Sequence, residues 1–116
     1  MNTLSRMLAG GIAALAIIGT ASATPSDPIT QAQIEAARTS EQHEAIARAY
    51  DDQAAAAETT AEGHAKMAQT YRYAYGKSGR ASMASHCERL EKDFRDAATA
   101  YRELAKEHRQ MAAKAQ

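Results

Sequence analysis

The chain has 116 residues, with 14 basic and 14 acidic side chains, one phenylalanine and no tryptophan. That length allows one domain, and the even charge balance excludes the concentrated basic face that a nucleic-acid ligand requires. A single cysteine, Cys87, excludes an intrachain disulfide framework.

Residues 1–23 have the three parts of a cleavable secretory signal peptide. Arg6 and the free amine supply the positive charge. Residues 7–18 are apolar apart from Gly10 and Gly11, a stretch too short to span a bilayer comfortably. Ala21-Ser22-Ala23 is a small-x-small processing site, which makes Thr24 the first mature residue and the expected location secreted, in the periplasm. With Arg6 gone, the remainder carries one net negative charge. It has no second apolar run long enough for a membrane span.

Residues 24–39 form a lead and a short helix. Thr30 and Gln33 make a capping-box pair, and Ile29 and Ile34 fall at the two positions of a hydrophobic staple. Thr39 and Ser40 with Gln42 offer a second N-cap. From there to about residue 75 no proline and only Gly63 interrupts a segment rich in strong helix formers. Residues 40–116 therefore read as a long helical hairpin with its turn near 76–82, where Gly76 and Gly79 flank Ser78. Ser82 caps the second long helix, and a short connection makes the two helices antiparallel.

Two apolar patterns support the hairpin. His43, Ile46, Tyr50, Gln53, Ala57, Thr60, His64, Met67, Tyr71 and Ala74 alternate steps of three and four. So do Cys87, Leu90, Phe94, Ala97, Tyr101, Leu104, His108 and Met111. This 3.5-residue period predicts an all-α fold: an antiparallel helical hairpin with a heptad seam plus a short N-terminal helix. So small a core predicts a homodimer forming a four-helix bundle. The runs at 54–57 and 97–98, all alanine, predict a close approach near mid-length.

The same seam carries the chemistry-bearing residues. Histidine, methionine and thiolate form a soft ligand set suited to copper. The first candidate metal cluster is His64, Met67, His86 and Cys87; a second, weaker one at the opposite end of the hairpin is His43, His108 and Met111. Pairs such as His64 with Met67, and His108 with Met111, share a helical face at i, i+3. The same residues also serve as ordinary core packing: a turn near Ser78 sets His108 opposite Tyr50, Tyr71 opposite Cys87 and His64 opposite Phe94. That register puts His64 about 10 Å from the level of Cys87. An unpaired Cys87 in an oxidising compartment suits an intermolecular disulfide, a metal ligand or a protected core thiol, and all three stand open.

No enzyme is predicted. His43-Glu44 begins like a metalloprotease motif, but position 47 is alanine where the second histidine belongs. His86 and Cys87 are adjacent without an orienting third group. A helical protein-interaction or chaperone-like module without metal is the alternative function, although the Leu-Thr-x-x-Gln repeats of small periplasmic chaperones are absent.

The segment His86-Cys87-Glu88-Arg89-Leu90 is followed by Phe94, Ala97-Ala98, Leu104-Ala105 and His108-Arg109-x-Met111-Ala112. It resembles a group of short exported bacterial helical-hairpin proteins without an assigned activity. The resemblance covers most of the mature chain and implies export and a helical hairpin, but no site residue.

Overall fold

A computed structural model describes residues 27–74 and 81–115, which are all-helical with no strand among them. The signal peptide and residues 76–80 of the expected turn lie outside the described residues. The elements are α1 (Gln31–Ala36), α2 (Ser40–Ala74) and α3 (Ala81–Lys114). The two long helices have 35 and 34 residues, about 50 Å each, and pack against one another as a hairpin.

The first two helices start where their capping chemistry dictates, whereas Ser82, expected to cap α3, lies inside it, since α3 begins at Ala81. The Thr30 hydroxyl accepts from the Gln33 backbone N–H at 3.2 Å while Gln33 Oε1 accepts from the Thr30 N–H at 2.8 Å. Thr39 and Gln42 repeat the device at 3.2 and 3.1 Å, which ends α1 and opens α2. Ile34 remains 42% exposed, whereas Ile29 turns inward onto the hairpin.

The seam is built from two rows per helix. The wide row holds His43, Tyr50, Ala57, His64 and Tyr71 on α2 and Cys87, Phe94, Tyr101 and His108 on α3. The second row differs from the sequence expectation. It lies four residues after the wide row, not three, and is made of alanine. Ala47, Ala54, Ala61 and Ala68 are 0–2% exposed on α2, and Ala84, Ala98, Ala105 and Ala112 are 0–4% exposed on α3. Four alanines spaced by seven on α2 face four on α3, whose row is interrupted only by the half-buried Glu91, so the backbones approach well beyond the middle. That narrow seam has no room for larger side chains. Met67, Leu90, Leu104 and Met111, expected inside, are therefore 38–44% exposed.

Two further rows flank the seam. Helical geometry places equivalent positions of antiparallel partners on the same side. One side is closed by charge: Glu58 pairs with Arg95 at 3.0 Å and with Arg102 at 3.2 Å. Arg109 meets Asp51 at 2.5 Å and Glu44 at 3.9 Å, and Arg72 pairs with Glu88. Glu44, Asp51 and Glu58 are spaced by seven, as are Arg95, Arg102 and Arg109. Exposed pairs of this kind contribute about 0–1 kcal/mol each, so their main effect is on register.

The other side carries no charge in its outer row. There the outer row contains Ile46, Gln53, Thr60 and Met67 on α2 and Met83, Leu90, Ala97, Leu104 and Met111 on α3. The segment before α2 covers the α2 half near the open end. Ala37 and Ile29 pack with Ile46, Ala47, Tyr50, Tyr101 and Ala105, leaving Ile46 only 7% exposed. Pro28 sits over Gln53, Ala57 and Tyr101, at the edge of an open hollow of about 280 Å³ that Phe94 and Ala97 also line.

Candidate metal site at the open end of the hairpin

The wide-row side chains of the two helices interleave, each lying between two from the opposite helix. Tyr50 stacks on Tyr101 with ring centroids 6.1 Å apart and meets His108 at 5.8 Å. His64 stacks on Phe94 at 5.6 Å and 11°. The facings expected for His108 with Tyr50 and for His64 with Phe94 are both present. The interleaving adds a contact that the simple facing register omits: His43 Nδ1 lies 3.1 Å from His108 Nδ1, with ring centroids 5.4 Å apart.

Two candidate ligands from opposite helices are thus joined by a hydrogen bond and a ring contact. His108 is buried and His43 half-buried. Burial, and then the proximity of His43, lowers the His108 pKa below its ordinary 6.5, with Glu107 opposing. A hydrogen bond between the two Nδ1 atoms requires one ring to donate its Nδ1–H and the other to accept with its lone pair. Met111 follows His108 by three residues but belongs to the exposed outer row, 44% accessible.

The turn-end cluster is arranged differently. His64 and Cys87 stand in the same relation as His43 and His108, three heptads closer to the turn. His64 differs in that it stacks on Phe94. Its Nδ1 is left buried without a hydrogen-bond partner. Cys87 is a buried free thiol, 8% exposed, while His86 and Met67 are exposed. No group of three or more His, Cys, Asp or Glu side chains converges to hold a metal ion among the described residues.

The heptad-spaced alanines and the complementary acidic and basic rows were both visible in the sequence as repeats of seven.

No helix among the described residues is long and apolar enough to cross a membrane. Comparisons with protein-family models, with curated proteins and with solved structures yield no match to this chain.

Proposed function

We propose that the protein is an exported helical hairpin that binds copper between its two long helices, with His43 and His108 as the primary ligands. The observation that carries this reading is the 3.1 Å separation of the two Nδ1 atoms. With metal–nitrogen bonds of about 2.0–2.1 Å, as imidazole makes to zinc, neighbouring ligands of one ion stand about this far apart. Imidazole suits copper, and the metal takes the neutral ring. Burial that disfavours protonated His108 reduces the competition from protons at this site.

Two protein ligands leave the remaining coordination positions open to other donors, which suits a buffer or carrier better than a closed structural site. Cys87, His64, His86 and Met67 form the softer secondary set at the turn end. Their use requires the His64 ring to leave Phe94.

Competition titration of the reduced protein with copper against a chromophoric chelator tests the assignment. His43→Phe and His108→Phe are chosen because the wide row already accommodates an aromatic ring at Phe94. Each is expected to lower affinity at least tenfold, about 1.4 kcal/mol, while Cys87→Ala leaves it unchanged. Affinity lost with Cys87→Ala and kept in both histidine variants would move the site to the turn end. A parent that fails to compete would end the metal reading.

A second reading, a helical interaction module, is favoured by the exposed outer row of α3.

A further inference from the structure

Five residues make up the outer row of α3, each seven after the last: Met83, Leu90, Ala97, Leu104 and Met111. The four large ones are 42, 41, 38 and 44% exposed, in chain order, and none of the five is charged. Apolar side chains this evenly spaced would normally lie in a seam. Here the α2–α3 seam is already filled by the alanine rows, so this row is left over. The segment before α2 covers Ile46 on the neighbouring helix and leaves the four large residues of the α3 row exposed, while Ala97 is half-buried and lines the hollow that Pro28 also borders.

The order of the row is the informative feature. Read in either direction it is Met, Leu, Ala, Leu, Met. A two-fold interface is self-complementary: if one residue meets a second, the second meets the first. Antiparallel pairing of α3 with its own copy, centred on Ala97, therefore matches Met83 with Met111, Leu90 with Leu104, and Ala97 with itself. The small residue falls on the axis, where two helices approach most closely, and large apolar residues fall in equal pairs on either side.

The flanking charges agree. Beside the row run His86, Asp93, Ala100 and Glu107. About the same axis His86 comes beside Glu107 of the other copy, and Asp93 beside Ala100. No like charges are opposed. The hairpin's own core also leaves this interface something to supply, since its buried residues are mostly alanine and no large side chain is fully buried among the described residues.

We infer that the protein is an antiparallel two-fold dimer through α3, with Ala97 on the axis and the row from Met83 to Met111 as its interface. This goes beyond the metal reading and does not depend on it. The pairing sets the second copy's Met83 and His86 at the level of Met111 and His108, so each end of the dimer adds soft donors near a seam imidazole pair.

Cysteine cross-linking tests both the interface and its direction. In a Cys87→Ala background, chosen because alanine already fills neighbouring seam positions, Ala97→Cys places two thiols across the axis. Leu90→Cys places its own two copies 14 residues out of level, about 21 Å, beyond the 7 Å Cα limit of a disulfide. Mild oxidation is expected to link Ala97→Cys almost completely and Leu90→Cys at least tenfold less. Mixing Leu90→Cys with Leu104→Cys is expected to restore linkage. Leu104→Asp, on an exposed position, is expected to keep the parent's helical content but halve the mass seen by light scattering. Equal linkage of Ala97→Cys and Leu90→Cys would indicate parallel pairing and overturn the proposal. So would a parent of monomer mass, or a Leu104→Asp variant that stays dimeric.

Discussion

His43 and His108, on opposite long helices, meet Nδ1 to Nδ1 at 3.1 Å at the open end of the hairpin. Because the contact joins residues near the start of α2 and the end of α3, it ties the burial of His108 to the closure of that end.

Stability is expected to fall with acid. Burial lowers the His108 pKa in the folded protein below the ordinary 6.5, and nearby His43 disfavours a second positive charge. Below about pH 6.5 the unfolded chain binds protons more readily than the folded one, so stability present above that pH is lost as the pH falls toward the depressed value. Tyr50 also faces His108, with ring centroids 5.8 Å apart. Urea denaturation between pH 7.5 and 5.0 should show the loss, and His108→Phe should reduce its slope. A variant with the parent's full slope would place the effect elsewhere.

The alanine row predicts a sharp contrast between neighbours. Ala61 is completely buried and Thr60 is exposed. Leucine at position 61 must push the helices apart, which costs about 1–3 kcal/mol or more; Thr60→Leu should stay within about 0.5 kcal/mol of the parent. Comparable losses in both variants would restore the originally expected seam.

Much of this was legible in the sequence. Thr30 with Gln33 and Thr39 with Gln42 marked the first two helix starts, and the period of 3.5 marked the hairpin and the facing of His64 with Phe94. The second seam row was misread because hydrophobicity favoured Leu90, Leu104 and Met111 over alanine. What decided it was side-chain size: the buried alanines of both helices, in heptad register apart from Glu91, let the backbones come too close for leucine. The histidine contact was missed for a related reason. A facing register gives each residue one partner, while an interleaved ladder gives it two.

Gly63 lies inside α2, and a Cβ added there meets nothing within 4 Å. Gly63→Ala should therefore raise stability by about 0.5–1 kcal/mol through the backbone entropy of the unfolded chain. A thermal melt monitored by circular dichroism checks it, and a lowered midpoint would mean that an unseen neighbour occupies that face.

The charge row sets register more than strength. Arg102→Glu places a carboxylate against Glu58, replacing a pair whose side chains are 51% and 29% exposed. A loss of about 1 kcal/mol or less is expected, shrinking in high salt. Adding Glu58→Arg should return only part of it, since Arg95 also pairs with Glu58. A loss unaffected by salt would show that Arg102 acts through packing of its stem.

The most direct test of copper binding by the His43–His108 pair is the thermal midpoint with and without copper, in the parent and in His43→Phe. A ligand bound only by the folded state stabilises it by about 2.7 kcal/mol when present at 100 times its dissociation constant. The parent's midpoint should rise with copper, and that of His43→Phe should not. An equal rise in both, or none in the parent, would contradict the assignment.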